Sequence, residues 1–214
     1  MKISRQKIFY WESLNERYKF KKGLKYLIYF RGGFCPPHRG HFETIEQFLK
    51  IGPNIRAIID QVGNPKRHGV PYYLNRKIWK IYISELLDKS RVSLQSYSSM
   101  KEIIKHPFYN KSDIIIYIRG IESNNNSSIQ NKIIKKTLNT LYKICYDNKL
   151  MFYYYLERPR INILSASIFV NDIIKYKKMK FSEKYHKLKF YLPNNLSYKS
   201  GKFIIKNLEK YNLY

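Results

Sequence analysis

KYLIYF (25–30), followed at once by RGGFCPPHRGH (31–41), is the stretch on which the fold turns. Five apolar residues after Lys25, three of them aromatic, soon followed by a pair of glycines, read as a buried strand that enters a loop. Past the loop, Phe42, Ile45 and Leu49 recur at helical spacing until Gly52-Pro53 stops the pattern. Strand, loop and helix in that order are the first half of a parallel crossover unit.

The same alternation continues outward. IRAIID (55–60) reads as a second strand, followed by a polar loop and then by Leu74, Ile78, Ile81, Tyr82 and Leu86 on one helical face. RVSLQSY (91–97) reads as a third strand, and DIIIYI (113–118), short and nearly all apolar, as a fourth that is buried on both faces. ESNNNSS (122–128) is a polar loop, Ile134, Leu138, Leu141 and Cys145 form another helical stripe, and MFYYYL (151–156) closes a set of five strands. The remaining chain is rich in Lys and Tyr, with helical pieces around Ile168 to Tyr176 and Phe203 to Tyr211 separated by the breaker Leu192-Pro193-Asn194-Asn195. The expected fold is α/β, a Rossmann-like parallel five-stranded sheet with flanking helices and a small C-terminal helical appendage at about 165–214. A basic extension, 1–24, precedes the domain of 25–214.

The loop carries the chemistry. Glycines at Gly32, Gly33 and Gly40 let backbone N–H groups approach an anion, and a helix starting near Gly40 offers further unpaired N–H groups at the positive end of its dipole. His38 and His41, three apart, can aim both rings at one oxyanion if the backbone turns into a helix between them. A pair of histidines hydrogen-bonded to the backbone of an ordinary strand-to-helix loop is the structural alternative. A metal site lacks a third ligand at suitable spacing, because His68, His106 and His186 are scattered.

In this context GGFCPPHRGH resembles the G-x-F-x-P-x-H-x-G-H signature of the nucleotidylyltransferase superfamily, the cytidylyltransferase-like enzymes that include nicotinamide mononucleotide and phosphopantetheine adenylyltransferases. Gly32, Phe34, Pro36, His38, Gly40 and His41 occupy the fixed positions, and Cys35 stands where the family often carries Asp. VPYYLNRKIW (70–79) resembles the family's helix after the second strand, with Arg76 at the usual Arg position. DIIIYIRG resembles its fourth strand, ending in Arg119-Gly120. LSASIFV (164–170) resembles the late I-S-S-T-x-x-R motif through Ser165 and Ser167, with Val170 in place of the Arg.

The resemblance implies a nucleotide lying across the carboxyl ends of the strands, at the switch point between the first and fourth. It implies transfer of a nucleoside monophosphate, AMP first, from ATP or CTP to a phosphorylated small-molecule acceptor, with release of pyrophosphate. His38 and His41 would then be catalytic, while Gly32, Gly33, Phe34, Gly40, Arg119, Ser165 and Ser167 would bind nucleotide, and Arg119 would stand in for the missing late Arg. Cys35, Arg76 and Trp79 would line the acceptor side. Mg²⁺ would be held by the nucleotide phosphates, with no protein metal site.

Composition bounds the function classes. The 214 residues are long enough for one domain with a real core, and 44% hydrophobic content with 21 Tyr and 12 Phe excludes a disordered or collagen-like chain. Two cysteines far apart argue against a disulfide scaffold and for a reducing compartment. No apolar run approaches the roughly 20 residues of a membrane span, and none marks a signal peptide, so a cytoplasmic protein without membrane partners is expected. The net charge of +26 attracts nucleic acid, anionic lipid or phosphorylated small molecules. The Lys, Ile, Asn, Tyr and Phe bias of A/T-rich codons accounts for part of it. The alternative function is a degenerate member of the fold that binds RNA or DNA through its basic surface; self-association is left open.

Overall fold

The computed structural model describes residues 8–10, 20, 23–63, 69–121, 150–157 and 164–211, with side chains described for all of these except 8–10, 119–121 and 150–157. The helical stripe Ile134 to Cys145, the loop from Glu122 and the side chain of Arg119 lie outside the described residues.

Among the described residues, six strands form one parallel sheet: β1 (Ile8–Tyr10), β2 (Tyr26–Gly32), β3 (Ile55–Gln61), β4 (Val92–Gln95), β5 (Ile114–Ile121) and β6 (Leu150–Glu157), in the order β1-β6-β5-β2-β3-β4. The expected five are joined by a sixth, β1, which pairs Ile8 with Tyr153 at the edge. Three residues among flanking charges are too short for any periodicity to reveal, and the strand exists through its partner. From β2 the chain builds outward through β3 to β4, then returns to the other side of β2 with β5. The switch point therefore falls between β2 and β5, the first and fourth strands of the sequence reading.

Strand β2 is central because its apolar run serves both faces. Tyr26, Ile28 and Phe30 belong to one buried cluster, and Leu27 and Tyr29 to another on the opposite face. The first cluster lies under α1 (Arg39–Ile51), which buries Phe42, Ile45, Phe48 and Leu49, and under α2 (Tyr72–Leu86), which buries Leu74, Ile78, Trp79 and Tyr82. The second is closed by Ile103 of a 3-10 turn (Met100–Lys105) and Tyr109 of the short α3 (Pro107–Asn110).

The C-terminal segment forms α4 (Ala166–Lys175), α5 (Phe181–Leu188) and α6 (Tyr198–Glu209), and its buried Phe169, Val170, Ile173, Leu188, Ile204, Ile205 and Leu208 belong to the first cluster. Helix α5 was not legible in the sequence, because its inward face carries a lysine. Lys184, 5% exposed, pairs with Glu209 and donates to the Lys177 carbonyl at 2.9 Å, so its charge is matched and its stem packs.

Candidate active site

The loop leaving β2 is shaped by one strained residue. Phe34 has φ +41°, in the left-handed region that a bulky side chain enters at a cost of about 1–3 kcal/mol. Its ring occupies the space above Gly32, where a Cβ would lie 3.0 Å from the ring carbons, so any side chain at 32 would push Phe34 away. Around Gly33 no atom lies within 4 Å of such a Cβ, and the backbone there faces open space. The Phe34 ring meets Phe30 at 4.6 Å, His41 edge-to-face at 5.1 Å and Trp79 edge-to-face at 5.4 Å. It stands as a partition between the imidazoles and the first turns of α2.

His38 is the N-cap of α1. Its Nδ1 accepts from the Gly40 N–H at 3.2 Å, and the His41 Nδ1 accepts from the His38 N–H at 3.3 Å, a reciprocal capping box built from two imidazoles. The sequence reading expected unpaired N–H groups here; the rings take two of them instead. With both Nδ1 atoms accepting, the proton of a neutral ring sits on Nε2. The rings lie 3.9 Å apart and tilted by 36°. His38 is buried, 1% exposed, whereas His41 is half-buried and is the more accessible of the pair.

Beneath the loop, on the opposite face of the sheet, lies a charged group that the sequence reading missed. Arg31 and Asp60 stand opposite each other in the β2–β3 register and form an ion pair, with Asp60 fully buried. Asp60 also accepts from the Tyr29 hydroxyl at 2.5 Å and the Tyr97 N–H at 2.9 Å, while Arg31 donates to the Tyr97 carbonyl at 3.3 Å. Burial, reinforced by the Asp60 carboxylate, pushes the Tyr29 hydroxyl well above its ordinary range, and Tyr97 is pushed up to about 12 for the same reasons. The available signal was an Arg and an Asp, each at the end of a strand, which only alignment in register brings together.

The other expected residues are distributed as follows. Cys35 is buried; its Sγ accepts from Asn75 Nδ2 at 3.2 Å and lies 3.7 Å from the Val70 carbonyl, tying the loop to α2. Arg76 donates to the Gln95 carbonyl at 3.0 Å and reaches the Tyr72 hydroxyl at 3.4 Å, fastening α2 to the end of β4. Trp79 is fully buried. Ser165 is the N-cap of α4, accepting from the Ile168 N–H at 3.1 Å, and Ser167 lies in that helix's first turn. Val170 is buried in the core. Arg119 follows Ile118, the β5 partner of Phe30, at the carboxyl end of the sheet.

Three buried side chains have atoms without a hydrogen-bond partner: both amide atoms of Gln61, Oδ1 of Asn75 and Nε1 of Trp79. Each such atom costs about 1–3 kcal/mol. Among the described residues, no group of three His, Cys, Asp or Glu is arranged to hold a metal.

No family model matches the sequence, and no curated protein matches it. Solved structures do. The Plasmodium falciparum nicotinic acid mononucleotide adenylyltransferase complexed with NaAD aligns at a TM-score of 0.51 and 18% identity, covering 89% of this chain and 100% of that chain. The same enzyme complexed with APC aligns at 0.49 and 15%, with the same coverage. The chain shares the fold of the first of these structures.

Proposed function

We propose that this protein transfers a nucleoside monophosphate, AMP first, from a nucleoside triphosphate to a phosphorylated small-molecule acceptor. An acceptor phosphate oxygen attacks the α-phosphorus, the bond from that phosphorus to the bridging oxygen breaks, and pyrophosphate leaves. No side-chain nucleophile is required; catalysis comes from positioning the two phosphates and neutralising charge on the α-phosphoryl oxygens. The observation that carries the reading is the paired imidazole cap of α1, two rings 3.9 Å apart at a helix N-terminus beside the open backbone of Gly33. His41, the more accessible ring, is assigned to the α-phosphoryl oxygens, with His38 behind it. Mg²⁺ belongs to this reading as part of the triphosphate substrate. Arg119, at the switch point, is assigned to the triphosphate in place of the late Arg.

Pyrophosphate release is measured for each nucleoside triphosphate against a panel of phosphorylated acceptors. ATP with one acceptor class is expected to give turnover, and His41→Ala to reduce it by about 10² or more with an unchanged melting curve. Turnover near wild type in folded His41→Ala would remove the role assigned to that ring.

A further inference from the structure

The Arg31–Asp60 pair ties together three segments at the carboxyl end of the sheet. Asp60 stands in register with Arg31 of β2 on one side and with Gln95, the last residue of β4, on the other. Leu27 and Tyr29 of β2 and Ile58 of β3 belong to the second cluster, so the two-residue period of a strand sets both charged side chains on that face. There they grip one residue that lies past the end of β4. The Tyr97 N–H donates to Asp60 Oδ1 at 2.9 Å, the Tyr97 carbonyl accepts from Arg31 at 3.3 Å, and the Tyr97 ring packs against the same cluster. Both backbone groups of Tyr97 are thereby held by a cation and an anion that are themselves paired.

Stability does not account for this arrangement. Asp60 is fully buried and the Arg31 side chain is 14% exposed, and desolvating such a pair offsets most of what its attraction contributes, so apolar residues of similar volume would stabilise the fold as well. What the pair adds is fixed geometry. Arg31 directly precedes Gly32 and Gly33, the least restrained backbone of the loop, and Phe34 follows with its ring in the first cluster and against His41. The two glycines are strung between an anchor on each face of the sheet. We infer that Arg31 and Asp60 are positioning residues, which fix the glycine backbone against the segment 96–99 and so hold the open backbone of Gly33 in place beside the imidazole pair. Their effect on turnover rests on the transfer reading above; the clamp itself does not.

The test uses the full chain and the double variant Arg31→Met, Asp60→Leu, which removes both charges and leaves neither buried alone. Its melting temperature is expected close to that of the wild type. Amide hydrogen exchange reads the clamp without any ligand, through the Val62 N–H, which donates to the Gly32 carbonyl at 2.9 Å and not to either charged side chain. That amide is expected to exchange about tenfold faster in the double variant, while Ile28 and Ile58 in the strand interiors keep their rates. In pyrophosphate release, kcat is expected to fall about tenfold or more with KM for the triphosphate changed by less than about threefold, the split that misplaced reacting groups produce. If the double variant does not fold, Arg31→Lys is read by the same criteria, because an ammonium keeps the charge beside Asp60 without the planar fork that also reaches Tyr97. Wild-type kcat, a wild-type Val62 rate, or a loss confined to KM in a folded variant would each overturn the positioning role. Faster Val62 exchange in a chain that releases no pyrophosphate would sustain the clamp and remove the transfer reading.

Discussion

His38 and His41 share one motif but differ in burial, and the proposed transfer separates their tasks. His38 is buried and caps α1, so His38→Ala should lose both turnover and about 1 kcal/mol of stability. His38→Asn, which restores a capping oxygen, should recover the melting temperature and leave turnover low. Recovery of both would make the residue a cap alone. Asp60 is the second decisive residue. Asp60→Ala leaves the Arg31 cation against a largely apolar face, a change that costs about 3–5 kcal/mol for buried pairs; partial exposure of Arg31 places this one near 3. The double variant Arg31→Met, Asp60→Leu should regain most of that loss in chemical denaturation. At this scale the glycines and histidines were legible as a spaced motif, while Asp60 read as no more than the end of a strand.

At the scale of elements, the short α3 depends on one neutral ring. His106 caps it, with Nδ1 accepting from the Phe108 N–H at 3.0 Å and Nε2 lying 3.0 Å from Ser93 Oγ of β4. Burial lowers its pKa. With the folded value below the unfolded one, the unfolded state binds more protons in the window between them, so stability is full above the unfolded value of about 6.5 and falls as pH drops through that window. His106→Asn keeps a capping oxygen and removes the titration. Its melting temperature should change less than that of the wild type between pH 7 and pH 5.5, and equal slopes would show that other groups carry the acid sensitivity. Elements built on long periodic runs, β2, β3, α1, α2 and β5, were legible because burial on one or both faces writes itself as spacing. Strand β1 and helix α5 were not, since the first is an addition to an edge and the second turns a lysine inward to meet Glu209.

At the scale of the whole molecule, the C-terminal helices concentrate positive charge. Residues 164–211 hold eleven lysines against Asp172, Glu183 and Glu209, and Lys177, Lys178 and Lys180 are exposed around the turn between α4 and α5. Among the described residues, no helix is long and apolar enough to cross a membrane. Such a surface should hold single-stranded polynucleotide weakly, with log affinity falling by about 0.7 per phosphate contacted for each unit of log salt. Replacing these three lysines by Gln should flatten that slope in oligonucleotide titrations while leaving pyrophosphate release unchanged. An unchanged slope would place the polyanion contact elsewhere, and tight, sequence-dependent binding in about 0.15 M salt without transfer on any acceptor would favour the nucleic-acid function instead.

Sequence by itself determined the alternation of parallel strands and helices, the strand–loop–helix setting of GGFCPPHRGH and the pairing of His38 with His41. These depend on spacings within one strand or one helical turn, which backbone geometry imposes locally. Only the tertiary structure decided that Arg31 faces Asp60, 29 residues away, that Cys35 is buried against α2, that Trp79 meets the Phe34 ring, and that Val170 is buried in the core. It also decided that the buried Gln61, Asn75 and Trp79 each keep a side-chain polar atom without a hydrogen-bond partner. Those outcomes depend on the register between strands and the rotation of α2 against the sheet, which are set by packing between distant parts of the chain and leave no period in the sequence.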